Sequence, residues 1–171
     1  MPIKITKKPG STNHGYCVTG PYVFACALGK TGFTAFKREG DGATPVTQTK
    51  PLYGFYRPDR EAKPSSALPF MPLSKSMAWC DATTHPSYNR LVKLPFGASH
   101  EILWRDDSLY DLLVVLDINI STRQKGRGSA LFMHVAREGY KPTEGCIALA
   151  KPDLRLLLQS MSTNSHIRIM V

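Results

Sequence analysis

Hydrophobic residues are concentrated in a few short runs, and the longest run covers residues 110–120. It is rich in β-branched residues and has few polar positions, which is typical of a central strand that is buried on both faces. A second apolar run covers residues 130–135, beyond a glycine-rich connection, and a third covers residues 147–150. We expect the second run to lie beside the first run in one sheet.

Shorter patterns mark the two ends of the chain. Residues 22–28 and 33–37 are predicted to be strands of a hairpin-like unit, because the turn-forming residues 29–32 separate them. Residues 167–171 alternate between apolar and polar positions, which predicts a final strand with Arg168 on its wetter face.

Proline and glycine positions complete the prediction of the fold. Residues 56–72 contain four prolines and are expected to form a long surface loop, not a domain boundary. Pro152 and Asp153 suit the first turn of a helix, ahead of the leucine-rich residues 154–161. With 13 Gly and 13 Pro in 171 residues, long helices should be few, so we expect a mainly β fold of the β-rich α+β class.

Length and charge narrow the possible classes of protein. A chain of 171 residues with 42% hydrophobic residues can bury one core, which predicts a single domain over residues 1–171. The formal net charge is +9, which favours anionic partners. The basic residues are dispersed, however, and the longest basic cluster is Lys7-Lys8, so we do not expect nucleic acid as the main partner.

The four cysteines are Cys17, Cys26, Cys80 and Cys146, and none belongs to a C-x-x-C pair. No metal site or cofactor is therefore expected. Residues 22–28 read as a buried strand and not as the apolar part of a secretory signal, and no run is long enough to span a membrane. We expect a cytoplasmic location with reduced thiols and no membrane partner, with a periplasmic location as the alternative.

Cys146 and His134 are the candidates for chemistry. A cysteine is nucleophilic as a thiolate, which requires a base or a cation to lower its pKa from about 8.5. His134 ends an apolar run twelve residues before Cys146, so adjacent strands can bring the two side chains together. Gly145 permits a tight turn, and the N–H groups of Gly145 and Cys146 can face an oxyanion. By spacing alone, a small core cysteine and a structural histidine remain alternatives.

The sequence around these residues resembles a known family. Residues 126–158, GRGSALFMHVAREGYKPTEGCIALAKPDLRLLL, resemble the signature of the L,D-transpeptidase (YkuD-type) catalytic domain. That signature has a histidine at the end of a strand, matched by His134, and then Ser or Thr, any residue, Gly and Cys, matched by Thr143, Gly145 and Cys146. The resemblance implies a β-sandwich or mixed sheets with one or two short helices. Other similar segments are residues 37–45, 79–81, 88–90 and 103–107.

Two features depart from the family pattern. The loop between the histidine and the cysteine is shorter than is common, and Ala148 stands where the family often has an arginine two residues after the nucleophile. In the family that arginine is thought to help bind substrate. We expect Arg127 or Arg90 to substitute as a substrate-binding residue, although each is also compatible with simple solvent exposure.

The resemblance implies a cysteine acyl-transfer enzyme acting on peptidoglycan-derived peptides. Family members cleave the bond between a diamino acid, usually meso-diaminopimelate, and the following D-alanine through a thioester. A cytoplasmic member should be a hydrolase, so we expect an L,D-carboxypeptidase of muropeptide recycling. The alternatives are a transpeptidase that cross-links peptidoglycan or exchanges D-amino acids, and an inactive peptide-binding module. The group that orients His134 is open, since no acidic residue is well situated and a backbone carbonyl is as plausible.

Overall fold

A computed structural model describes residues 2–171, which fold around a ten-stranded mixed β-sheet. Within these residues there are fifteen strands, one α-helix, α1 (Lys151–Gln159), and one short 3-10 helix (Glu138–Tyr140). Strands β1 to β15 are, in chain order, Ile3–Lys7, His14–Thr19, Tyr22–Ala27, Phe33–Thr34, Thr44–Pro45, Thr47–Thr49, Pro51–Tyr56, Phe70–Pro72, Met77–Cys80, Arg90–Lys93, His100–Ile102, Leu112–Leu116, Phe132–Val135, Ile147–Leu149 and Ile167–Met170. The mainly β prediction is confirmed.

The strands of the large sheet follow the order β6-β15-β1-β2-β3-β14-β13-β12-β7-β8. Strand β13 lies beside β12, as the apolar runs predict, and the pair is antiparallel; on its other side β13 is parallel to β14. Strands β10, β9 and β11 form a second sheet of three strands, and β4 pairs with β5. The three apolar runs thus become adjacent strands in the middle of the large sheet.

The central strands are buried on both faces of the large sheet. In β12, Leu112 and Val114 belong to one apolar cluster, whereas Leu113 and Val115 belong to another. Because successive side chains of a strand point to opposite faces, an uninterrupted apolar run is what such a strand requires. The first cluster includes α1, and we name it the helix-side core. The second includes Trp79 of the three-stranded sheet, and we name it the cleft-side core.

Helix α1 covers the helix-side core with Leu154, Leu157 and Leu158, which are buried. It begins at Lys151 with proline in its first turn and Asp153 close behind, as the sequence predicts. No helix among residues 2–171 has the length and apolar character that crossing a membrane requires.

Two local predictions are wrong. The hairpin of residues 22–28 and 33–37 does not form, because β3 pairs with β2 and β14 while the two-residue β4 pairs with β5. After β3, Gly29 instead forms a bridge with Thr143. Residues 56–72 are not solely a surface loop, because β8 pairs with β7 and the side chain of Leu68 is buried. Pairing with strands elsewhere in the chain determines the structure of both segments, and local turn residues do not indicate such pairing.

Candidate active site

A cleft of about 480 Å³ opens on the cleft-side face of the large sheet. Cys146 and His134 both line it, beside Tyr110 and Ala148. The other residues that line it are Lys37, Glu39, Gly40, Asp81, His100, Glu101, Arg105, Leu109, Ser129, Ala130, Leu131, Arg137, Lys141, Thr143 and Glu144. The cleft is therefore lined by charged and polar side chains together with apolar ones.

The register of β13 and β14 brings His134 and Cys146 to the same face. His134 is the direct partner of Ala148, and Cys146 lies two residues before Ala148, directly before β14. The alternating neighbours Met133 and Ile147 lie in the helix-side core. Since side chains two residues apart share a face, Cys146 and His134 lie diagonally across neighbouring strands.

Cys146 is 9% exposed, and its thiol has two backbone partners. Its Sγ donates to the carbonyl oxygen of Ala130 at 3.2 Å and accepts from the N–H of Phe132 at 3.3 Å. Burial raises the pKa of Cys146 to about 12, and the negative charge of Glu101 adds to the rise. The resting group is a neutral thiol, so the expected lowering of its pKa is not found.

His134 is 4% exposed and is oriented by a backbone carbonyl. Its Nδ1 lies 2.9 Å from the carbonyl oxygen of Val135, and since that oxygen can only accept, Nδ1 carries the proton. In the neutral ring Nε2 is then a proton acceptor. Burial, together with the nearby charges of Arg137 and Arg105, lowers the pKa of His134 to about 4, so the imidazole is neutral at pH 7.

The thiol and the imidazole share the cleft, but no hydrogen bond joins them within the described residues. The thiol proton is directed to Ala130, and the imidazole N–H to Val135. The ring of Tyr110 packs edge-on against the imidazole, with centroids 5.4 Å apart. The resting pair is thus neutral and held apart by backbone acceptors.

The turn before Cys146 is built by two threonines. The hydroxyl of Thr143 accepts from the N–H of Gly145 at 3.1 Å and donates to the carbonyl of Cys146 at 2.6 Å. The hydroxyl of Thr44 donates to the carbonyl of Gly145 at 3.0 Å. Because the Gly145 N–H is already bonded inside the turn, the Cys146 N–H is the better candidate oxyanion donor.

Gly145 is required by this turn on two grounds. Its φ is +129°, a conformation that L side chains rarely adopt. A Cβ at this position would lie 2.7 Å from the carbonyl oxygen of Ala43. The glycine before the cysteine therefore serves the close packing of residues 43 and 145.

Charges of both signs line the cleft. Arg105 forms a two-pronged pair with Asp107, at 2.8 and 2.7 Å, which limits its freedom to bind other groups. Arg137 and Lys141 are exposed at the rim. Glu101 accepts from the Tyr110 hydroxyl, and burial raises the pKa of this carboxyl group. The wall can therefore contact both carboxylates and amines.

Neither arginine nominated from the sequence lines the cleft. Arg90 is exposed at the start of β10, and Arg127 is exposed in the loop before β13. Arg105 and Arg137 line it instead, and Arg137 follows His134 by three residues. Ala148 lies opposite His134, so the position of the usual family arginine also faces the cleft. A role for Arg90 or Arg127 in substrate binding stays a prediction.

The remaining three cysteines do not line the cleft. Cys17, Cys26 and Cys80 are free and buried. Burial raises the pKa of Cys17 to about 12 and that of Cys26 still higher. Across residues 2–171, no cluster of His, Cys, Asp and Glu side chains has the arrangement of a metal site.

A comparison with known families identifies the class of protein. The family model of the L,D-transpeptidase catalytic domain, YkuD, matches residues 9–169, and the chain belongs to this family. It is accordingly an enzyme of the L,D-transpeptidase type, with peptidoglycan peptides as its class of substrate. No curated protein and no solved structure matches the chain.

Proposed function

We propose that the chain cleaves the bond between diaminopimelate and D-alanine in peptidoglycan stem tetrapeptides, with Cys146 as nucleophile and His134 as base. The observation that carries the proposal is that both side chains lie on one face of neighbouring strands and line one cleft. The free acceptor atom of His134 is Nε2, as a base for the thiol requires.

The first half of the reaction forms a thioester. His134 Nε2 takes the proton of Cys146 as Sγ attacks the carbonyl carbon of the diaminopimelate–D-alanine amide. The Cys146 N–H stabilises the oxyanion. The C–N bond then breaks, the leaving nitrogen receives the proton from the imidazolium, and D-alanine departs.

Water completes the reaction. His134 takes a proton from water as the oxygen adds to the thioester carbonyl. The C–S bond breaks, the sulfur recovers a proton, and a tripeptide with a free carboxylate is released. We propose this hydrolysis, an L,D-carboxypeptidase activity of muropeptide recycling, as the main outcome.

The neutral resting state of Cys146 and His134 suits a reaction in which the proton is transferred only after substrate has bound. A thiol with a pKa of about 12 and an imidazole with a pKa of about 4 do not exchange a proton at neutral pH. We propose that the bound carbonyl, by accepting the sulfur electrons, drives the proton transfer to His134. The thiol is thereby protected from other electrophiles until substrate binds.

The cleft charges support a short peptide of mixed charge. Stem peptides carry several carboxylates, and diaminopimelate adds an amine. We propose that Arg137 and Lys141 contact carboxylates and that Asp81 and Glu101 lie near the amine, in agreement with their positions in the cleft wall. The net charge of +9 also favours acidic soluble fragments.

One assay tests the proposal. Purified protein and Cys146→Ala are each incubated with a disaccharide-tetrapeptide, with and without a second stem peptide, and the products are measured by mass spectrometry. We expect the loss of one alanine with wild-type protein alone. Formation of a cross-linked dimer would show that the enzyme is a transpeptidase and not a hydrolase. If both proteins are inactive, a peptide-binding module is favoured. Fractionation of cells tests the cytoplasmic location that this activity requires.

A further inference from the structure

The acceptor of the Cys146 thiol lies in a strained backbone segment. Ala130 has a φ of +50°, in the left-handed region that non-glycine residues rarely occupy. Its carbonyl oxygen nevertheless accepts a hydrogen bond from the Cys146 thiol at 3.2 Å, and Ala130 lines the cleft. A strained conformation of this kind persists only where surrounding groups hold it.

Asn89 provides that support. Its side chain is 1% exposed, and Oδ1 accepts from the Ala130 N–H at 3.1 Å and from Trp79 Nε1 at 2.9 Å. Nδ2 donates to the carbonyls of Ile118 at 3.3 Å and Asn119 at 2.7 Å. All four hydrogen-bonding positions of the amide are therefore used, which fixes the side chain rigidly.

A second contact holds the preceding residue. The hydroxyl of Ser129 donates to Glu39 Oε2 at 2.8 Å, and the hydroxyl of Tyr88 donates to the same oxygen. Tyr88 and Asn89 are adjacent, so one short segment holds Ala130 directly through Asn89 and Ser129 indirectly through Glu39. Residues 129 and 130 lie 40 or more positions after Tyr88 and Asn89 in the chain.

We propose that Asn89 is a positioning residue for Cys146, acting through the Ala130 peptide whose carbonyl orients the thiol in the cleft. The proposal rests on the proposed function in that Cys146 is the nucleophile. Three hydrogen bonds, to Trp79, Ile118 and Asn119, fix the Asn89 side chain. Its fourth hydrogen bond holds Ala130, whose carbonyl oxygen accepts from the thiol. Asn89 touches neither the thiol nor the imidazole.

Loss of this bond should separate thiol reactivity from turnover. In Asn89→Ala, the Ala130 carbonyl is no longer fixed on the thiol, so Cys146 gains access to reagents while its orientation for attack is lost. We expect iodoacetamide to alkylate Cys146 about tenfold faster, the factor that corresponds to one hydrogen bond. We expect kcat for the tetrapeptide to fall about tenfold, with KM changed less than about twofold.

Peptide mass spectrometry follows each cysteine separately. Cys17 and Cys26, on the helix-side core, report general loosening of the fold and should label as slowly as in the wild type. Ser66→Ala is the control. The hydroxyl of Ser66 also donates to the carbonyl of a distant residue, Met161, at 3.0 Å, but it makes no bond to Asn89 or Ala130.

Ala130→Val is a second variant that leaves the Asn89 side chain intact. A β-branched residue opposes the left-handed conformation, so Cys146 should again label faster and kcat should fall. If Asn89→Ala does not fold, this variant still tests the link that the proposal requires, namely that the conformation of Ala130 controls the reactivity of the thiol.

Two results would overturn the proposal. One is an unchanged rate of Cys146 labelling in both folded variants, and the other is an equal increase for Cys146, Cys17 and Cys26. Alkylation of Cys146 does not require turnover of substrate. If the wild-type protein hydrolyses no tetrapeptide, the proposed function is wrong, but the labelling rates still test whether Asn89 positions the thiol.

Discussion

The two faces of strands β13 and β14 differ sharply, although they are made by alternating residues of the same segments. On the helix-side core, Met133 and Ile147 are buried among apolar side chains. On the other face, His134 and Cys146 line a cleft of mixed charge. One pair of strands thus presents a buried apolar face on one side and the proposed catalytic residues on the other. Substitutions one residue apart should therefore have effects of different kinds.

The largest effect is expected from His134→Gln. Loss of the base should lower kcat/KM for the tetrapeptide by about 10²–10⁴-fold, the usual contribution of general base catalysis. His100→Gln is the matched control, because His100 also lines the cleft and its Nδ1 also contacts a backbone carbonyl. Steady-state kinetics of the two variants measure the difference, and equal losses would remove His134 from its proposed role.

Met133→Ala tests the opposite face. Met133 is fully buried, so its truncation should lower the free energy of unfolding by about 2–5 kcal/mol through lost contacts and a cavity. The folded variant should keep kcat/KM close to that of the wild type. Chemical denaturation and kinetics measure the two quantities. A large loss of kcat/KM in fully folded Met133→Ala would show that the two faces are not independent.

The buried imidazole should also make stability depend on pH. Because burial lowers the pKa of His134 from 6.5 to about 4, the unfolded chain binds a proton that the folded chain does not bind between these values. The free energy of unfolding should therefore fall as the pH drops through 6.5 towards 4. Denaturation at a series of pH values measures this fall, and it should be smaller in His134→Gln, which has no imidazole. Parallel curves would contradict the burial of a neutral ring.

Arg137→Ala should give the smallest effect. An exposed cation at the cleft rim should raise KM by about two- to fivefold, as expected for a partly solvated ion pair of up to about 1 kcal/mol, with kcat little changed. Arg127→Ala is the matched control, since Arg127 is exposed but does not line the cleft. A larger rise in KM for Arg127→Ala would support the arginine that the sequence favoured.

Local patterns predicted much of the sheet. The apolar runs at residues 110–120, 130–135 and 147–150 contain β12, β13 and β14, because burial on both faces leaves an uninterrupted apolar signal. The N-terminal strands β1 and β2 were not predicted. Alternation at residues 3–7 was present, but the strand is completed only by pairing with β2 and the distant β15.

The candidate site was predicted in part. Spacing and family resemblance singled out Cys146, His134 and Gly145, which the fold brings into one cleft or its supporting turn. Thr44 and Asn89 lay within resembling segments, but their roles were missed because each acts on a residue at least 40 positions away. Neither residue is flanked by an apolar run, so no local pattern marked either one.

The sequence by itself determined the class of fold, the pairing of two central strands and the cysteine and histidine of the candidate site. Hydrophobic periodicity and a short motif are properties of neighbouring residues, so they can be recognised without knowledge of the tertiary structure. Only the tertiary structure decided that the thiol is neutral and held by Ala130, that a carbonyl orients His134, and that Arg137 and not Arg127 lines the cleft. Burial and long-range hydrogen bonds determine those properties, and they arise when distant segments pack together.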